Sequence, residues 1–126
     1  MLTWLVLIFA FASLVHFAHN ATYLAEYPNM PKWLTSAGVW LAWAAQVCVG
    51  VIGYLTVQSK FRLVGYAILA VYASFGFGGL DHYVVAPVSA HTIVMNVTIA
   101  AEAIAGLALL SYLIWMIASE RKRALR

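Results

Sequence analysis

Long apolar runs separated by short polar breaks dominate the chain. Four such runs cover approximately residues 2–23, 35–58, 62–85 and 90–119, and each is long enough to cross a hydrocarbon core of about 30 Å as a helix. The runs lack the two-residue alternation of membrane β-barrel strands. The pattern therefore predicts an all-α integral membrane protein, with residues 1–126 forming one four-helix transmembrane domain.

The breaks between the runs carry residues that end helices. Pro28 and Pro31 interrupt the chain after the first run, and Pro87 lies between the third and the fourth, where proline cannot continue a helix. A polar turn at residues 59–62 separates the second run from the third. Because such short connections place neighbouring helices antiparallel, we expect an up-down-up-down bundle.

Composition excludes a soluble domain. Hydrophobic residues make up 65% of the chain, charged residues only 9%, and the mean hydropathy is +0.91. So few charges cannot cover a water-facing surface, and the lipid bilayer is the first predicted partner. The single cysteine, Cys48, excludes an internal disulfide and a thiolate metal cluster.

The positive charges predict the orientation of the chain. Six of the seven Lys and Arg residues fall on one side of the predicted bundle, and only Lys32 falls on the other. Cytoplasmic loops carry such an excess, so both termini are expected in the cytoplasm of a multi-pass inner (plasma) membrane protein. Since these positions follow membrane topology, no nucleic-acid partner is predicted. The six residues are Lys60, Arg62, Arg121, Lys122, Arg123 and Arg126.

All four histidines fall near the opposite, non-cytoplasmic face. His16 and His19 end the first helix, Asp81 and His82 end the third, and His91 opens the fourth. Neutral imidazole is the commonest ligand of transition metals, and a carboxylate adds neutralising charge. These five residues are therefore the candidate metal ligands. Copper is the favoured ion, with zinc or iron as alternatives.

Helical spacing adds supporting polar residues to this site. Asn20 follows His16 by one turn, and Met95, Thr98 and Glu102 continue the stripe of His91. The thioether of Met95 would favour copper. Glu102 lies roughly 16 Å deeper than His91, at 1.5 Å per residue, which is the depth expected for Gln46. A carboxyl group near the midplane is costly unless it is protonated, paired or faces water, so Glu102 is also the candidate catalytic residue.

Four functional interpretations remain open. The first is a metal-binding subunit or accessory factor of a larger metalloenzyme or respiratory-type complex. The second is a haem b or other tetrapyrrole-binding anchor with axial ligands from His16, His82 and His91. The third is a membrane-embedded acid–base enzyme that uses Glu102 on a lipid or isoprenoid. The fourth is a purely structural subunit, and in every case other membrane subunits or a homo-oligomer are the expected protein partners.

Overall fold

The chain is helical throughout the part that the structure describes. The computed structural model describes the backbone of residues 1–124 and the side chains of residues 1–122, so Arg126 and the side chain of Arg123 lie outside it. No strand is present within residues 1–124. The main elements are α1 (Leu2–Thr22), α2 (Ser36–Val57), α3 (Arg62–Ser74), a 3₁₀ segment (Phe75–Asp81), α4 (His82–Val85) and α5 (Ile93–Ala124).

Four helical spans are long and apolar enough to cross a membrane, as the sequence predicts. The third consists of α3, the 3₁₀ segment and α4 in succession, so it is one span made of three pieces. Its 24 residues suffice to cross the hydrocarbon core. The spans are Leu2–Thr22, Ser36–Val57, Arg62–Val85 and Ile93–Lys122.

Glycine explains why the third span is not a continuous α-helix. Gly76, Gly78 and Gly79 lie within the 3₁₀ segment, and glycine weakens an α-helix by roughly 1 kcal/mol per residue relative to alanine. The tighter 3₁₀ winding changes the direction of the side chains that follow. It therefore helps to set the direction in which His82 points.

The fourth helix starts later and ends later than predicted. It begins at Ile93 rather than near residue 90, because residues 88–90 form a separate 3₁₀ turn after Pro87. The hydroxyl of Thr92 accepts the backbone N–H of Met95 at 3.2 Å and so caps the new start. At the other end the helix runs to Ala124 instead of stopping at Ser119.

The buried core lies between α1, α3 and α5. Phe9 packs edge-to-face on Tyr72, with ring centres 4.7 Å apart, and Leu69, Leu109 and Leu113 are fully buried around them. These side chains occupy one half of the bundle. Most buried polar side chains occupy the other half, towards the end of α1 and the start of α5.

Two facing glycines bring the 3₁₀ segment against α5. A methyl group added at Gly76 would lie 3.2 Å from the Cα of Gly106, and one added at Gly106 would lie 2.7 Å from the carbonyl oxygen of Ala73. The backbones can approach this closely only without side chains. This contact fixes the third span against the turn of α5 that carries Glu102, whose carbonyl oxygen is also in reach of Gly76.

The connection between α1 and α2 folds back over the polar half of the bundle. Asn29 adopts a left-handed conformation (φ 58°), which asparagine tolerates better than most residues. Its side-chain amide donates to the carbonyl oxygen of Val85 at 2.8 Å. This bond ties the connection to the end of the third span and holds Tyr27, which is buried, above the histidines.

Candidate functional site

A line of four buried titratable side chains is the main polar feature of the bundle. We name it the histidine–glutamate row: His91, His82, His16 and Glu102, which are 6%, 7%, 3% and 0% exposed. The ring centres of His91 and His82 are 6.1 Å apart, and those of His82 and His16 are 5.7 Å apart. The row thus combines side chains from the three predicted helices in one buried cluster.

His91 is held in a single tautomer. Its Nδ1 lies 3.0 Å from the carbonyl oxygen of Pro87, and because a carbonyl can only accept, Nδ1 carries the proton. The other nitrogen of the neutral ring, Nε2, then bears a lone pair. Nε2 is buried and has no hydrogen-bond partner in the described part of the chain, so its lone pair could bind a metal ion.

His82 lies at the centre of the row. Its Nε2 is 3.1 Å from the side-chain nitrogen of Asn20, and the ring of Tyr27 packs against it with ring centres 4.8 Å apart. The Oδ1 atom of Asn20 is buried without a partner among residues 1–124. The amide N–H of Asn20 therefore donates to Nε2 of His82 and fixes the direction of the ring. To orient a metal-binding His82, the amide would have to turn over, so that Oδ1 accepts Nε2–H and the lone pair lies on Nδ1.

Glu102 forms the deep end of the row. Its Oε2 is 3.9 Å from Nε2 of His16, a separation too long for a hydrogen bond. Ser13 and Gln46 face the same carboxyl group and hydrogen-bond to each other. Neither oxygen of Glu102 makes a hydrogen bond of good geometry to a described residue, so Ser13 and Gln46 satisfy the buried carboxyl group only weakly.

Two of the predicted ligands lie outside the row. His19 is only partly buried, and its Nδ1 is 2.9 Å from the hydroxyl of Tyr27. Asp81 is exposed beside His82. The supporting residues Met95 and Thr98 are buried, but the sulfur of Met95 accepts the backbone N–H of Thr92 at 3.5 Å.

Tyr27 and Ser13 are residues of the site that the sequence patterns did not place in it. Tyr27 is 3% exposed and contacts His19, His82 and His91, and its burial raises the pKa of its hydroxyl to about 12. No periodic pattern identifies Tyr27, because it lies in a connection. Ser13 could have been found, since it precedes His16 by three residues on the same helical face.

The candidate metal ligands lie in a row instead of surrounding one point. Within residues 1–124, no group of three or more His, Cys, Asp or Glu side chains surrounds a common point that could hold a metal ion. Two imidazoles that share an ion through bonds of about 2 Å have ring centres about 5 to 6.5 Å apart, depending on the angle at the metal. The two spacings along the row, 6.1 and 5.7 Å, fall in that range.

Tyr27 leaves little space for a macrocycle beside these rings. Its ring centre is 4.8 Å from that of His82 and 6.5 Å from that of His91. A haem with axial histidines would need a flat slot between the two imidazoles. The haem interpretation stays a prediction, and the packing of Tyr27 weighs against it.

Comparisons with protein-family models, with curated proteins and with solved structures give no match for this chain.

Proposed function

We propose that the protein is an antiparallel up-down-up-down bundle in the inner (plasma) membrane, with both termini in the cytoplasm. Contacts at both ends of α1 and α2 support the antiparallel arrangement. Thr3 near the start of α1 bonds to Tyr54 near the end of α2, at 2.8 Å, and Ser36 at the start of α2 bonds to Ala21 at the end of α1, at 2.7 Å. The excess of Lys and Arg near the start of α3 and the end of α5 supports the orientation.

We further propose that the histidine–glutamate row binds a transition metal ion in the outer half of the membrane. The observation that carries this proposal is the lone pair of His91 Nε2, buried and unpartnered because Nδ1 donates to Pro87. Metal-binding histidines are oriented in this way, by a hydrogen bond from the other ring nitrogen to a carbonyl group. An unpartnered buried nitrogen is otherwise destabilising.

Spacing and charge support the same proposal. The ring-centre spacings along the row, 6.1 and 5.7 Å, are compatible with neighbouring imidazoles that share one ion. The ionised carboxyl group of Glu102 would offset part of the charge of the ion, and the ion would in turn satisfy the carboxyl oxygens. The donor set would then be His16, His82 and Glu102, or His82 and His91, completed by water.

Copper remains the ion that we favour, with zinc and iron as alternatives. Imidazole nitrogen suits all three ions, and the carboxyl group is more typical of zinc and iron sites. Met95, buried on the helix that carries Glu102, is the thioether closest in sequence to the row. Its sulfur would have to leave the N–H of Thr92 to bind copper.

We also propose that the protein acts as a subunit or accessory factor of a larger membrane complex. Its four spans are joined by short connections, and residues 1–124 include no domain outside the helical bundle. A metal-bearing bundle of this kind would hold or deliver the ion for a partner. Co-purification after gentle solubilisation, with the bound proteins identified, tests this part independently of metal binding.

Elemental analysis of the purified protein tests metal binding. We expect one equivalent of copper, zinc or iron in the wild type and its loss in a His16→Gln, His82→Gln, His91→Gln variant. His19→Gln, which alters a histidine outside the row, is the matched control and should keep the metal. Helical circular dichroism confirms folding of each variant. Equal background metal in wild type and triple variant would refute the proposal, and a Soret band from the wild type would favour haem instead.

A further inference from the structure

A second polar cavity lies at the helix ends remote from the histidine–glutamate row. It has a volume of about 480 Å³ and is lined by residues from four helices. Thr3 comes from the start of α1, Gln58 follows α2, Arg62 begins α3, and Tyr112 belongs to the second half of α5. The cavity thus lies where the ends of three helices meet the side of α5, and the metal proposal makes no use of it.

Arg62 provides the hydrogen-bond donors of this cavity. One guanidinium nitrogen donates to the hydroxyl of Tyr66 at 3.1 Å and lies 3.7 Å from Glu120 Oε1. Tyr66 is only 1% exposed, so this bond fixes the direction of a side chain that is itself half exposed. A guanidinium carries five N–H donors in a rigid fork, and most of those on Arg62 make no bond to a described residue.

The surroundings of the cavity are positively charged. Lys60, Arg121 and Lys122 are exposed at the same helix ends, and Glu120 is the one acidic residue in the same described segments, 58–66 and 112–122. A basic pocket between transmembrane helices suits the phosphate of a lipid headgroup. Guanidinium groups in particular match phosphate geometry through two parallel hydrogen bonds.

An apolar groove begins at the edge of this cavity. It has a volume of about 240 Å³ and runs between α1 and α2, from Thr3 and Leu55 to Ala10 and Val47. Thr3 lines both spaces. Seven residues of helix separate the two ends of the groove, so it extends about 10 Å into the membrane. A molecule with a charged head and an apolar chain would fit the two spaces together.

We propose that this composite site binds one anionic phospholipid. The headgroup phosphate lies against Arg62 in the polar cavity, and one acyl chain occupies the groove between α1 and α2. Gly50 and the ring of Tyr72 both line the groove. Because Gly50 has no side chain, the ring can lie directly against it: a methyl group at Gly50 would be 2.8 Å from the Tyr72 ring. A free phosphate ion would use the cavity alone, and a zwitterionic lipid would gain less from the basic surroundings.

Binding of phosphatidylglycerol to the delipidated full-length protein tests the proposal. Native mass spectrometry should detect one retained phosphatidylglycerol per chain, with phosphatidylcholine retained far less. Arg62→Gln should weaken phosphatidylglycerol binding by about tenfold to a hundredfold, because it removes hydrogen bonds to a charged group. Lys60→Gln removes the same charge from the adjoining turn but does not line the cavity, and it should weaken binding only a few-fold.

Three outcomes would overturn the proposal. Equal losses in the Arg62→Gln and Lys60→Gln variants would indicate diffuse surface charge instead of a site. Equal retention of phosphatidylcholine would exclude selection by charge. Protection from thermal unfolding by inorganic phosphate equal to that by phosphatidylglycerol would assign the cavity to free phosphate. If Arg62→Gln does not fold, Arg62→Lys replaces it as the test variant. Lysine keeps the positive charge but lacks the planar guanidinium group, so the affinity for phosphatidylglycerol should still fall about tenfold.

Discussion

The Nε2 atom of His16 lies 3.9 Å from the Oε2 atom of Glu102, and the two side chains are buried together in the interior of the bundle. This distance is too long for a hydrogen bond, yet two ligands of one metal ion can be this far apart when the metal bonds are about 2 Å long and the angle is wide. The two groups thus make no direct hydrogen bond to each other, and the proposed metal ion would bridge them.

Glu102→Gln separates the metal role of the carboxyl group from its effect on stability. The variant should bind the metal at least about tenfold more weakly, because a charged ligand is lost. The metal-free variant should be as stable as the wild type or more stable by about 1 kcal/mol, since a buried group that can ionise is replaced by a neutral amide of the same size. Isothermal titration and thermal unfolding measure the two effects.

Glu26→Gln is the control for this substitution. Glu26 is exposed in the connection between α1 and α2, so its neutral variant should leave metal affinity and stability within error of the wild type. A Glu102→Gln variant that is strongly destabilised without metal would contradict our description of the carboxyl group as only weakly satisfied.

Asn20→Leu tests the positioning of His82. Leucine has a similar size but cannot hydrogen-bond to the imidazole, so metal affinity should fall by about 10- to 100-fold. The position of the metal's absorption or electron paramagnetic resonance bands should also shift, because the ring of His82 is free to rotate. Thr22→Val, which removes an exposed hydroxyl bonded only within its own helix, should change neither. Unaltered affinity and spectrum in Asn20→Leu would remove Asn20 from the site.

Two glycine substitutions test the close approach of α2 and α3. A methyl group at Gly65 would lie 2.7 Å from the Val57 side chain and would also strike backbone atoms, so Gly65→Ala should destabilise the bundle by about 1–3 kcal/mol. Gly78 has no atom within 4 Å of the added methyl group and no positive φ, so Gly78→Ala should be neutral or slightly stabilising. Thermal unfolding in detergent measures both, and equal effects would contradict the packing described for these helices.

The burial of Tyr27 should make the stability of the protein depend on pH at high pH. Because burial raises its pKa from 10 to about 12 in the folded protein, the folded state favours the protonated hydroxyl. The resulting stability is complete below pH 10 and is lost as the pH rises towards 12. Tyr27→Phe cannot ionise, so the stability of the wild type relative to this variant should decrease between pH 10 and 12. Thermal unfolding across that range checks this, and a constant difference would show that Tyr27 is not buried as described.

The helices were predictable because their signal is local. Runs of apolar residues and the positions of Pro28 and Pro87 gave the four spans to within a few residues. The burial of His16, Asn20 and Glu102 also followed from helical periodicity. The 3₁₀ segment could not be predicted in the same way, because glycines weaken an α-helix without specifying what replaces it, and the contact of Gly76 with Gly106 is tertiary.

The directions of the site's side chains depend on contacts with residues from other elements, which helical periodicity does not identify. The sequence placed imidazoles on one face, but the directions of the rings are set by the Pro87 carbonyl, by Asn20 and by Tyr27 from a distant connection. Because of these contacts, the candidate ligands lie in a row instead of surrounding one point, and His19 and Asp81 lie outside that row. Such orientations are decided by tertiary packing, which a pattern along one helix does not contain.

The aromatic and aliphatic core around Phe9 and Tyr72 begins where the row ends at Glu102, and it contains no imidazole or carboxyl group among the residues that the structure describes. For the metal ion that we propose, this core would close the inner end of the row. A bound ion would then leave only through the histidine end, which would suit storage or transfer to a neighbouring protein on that face rather than passage across the bilayer.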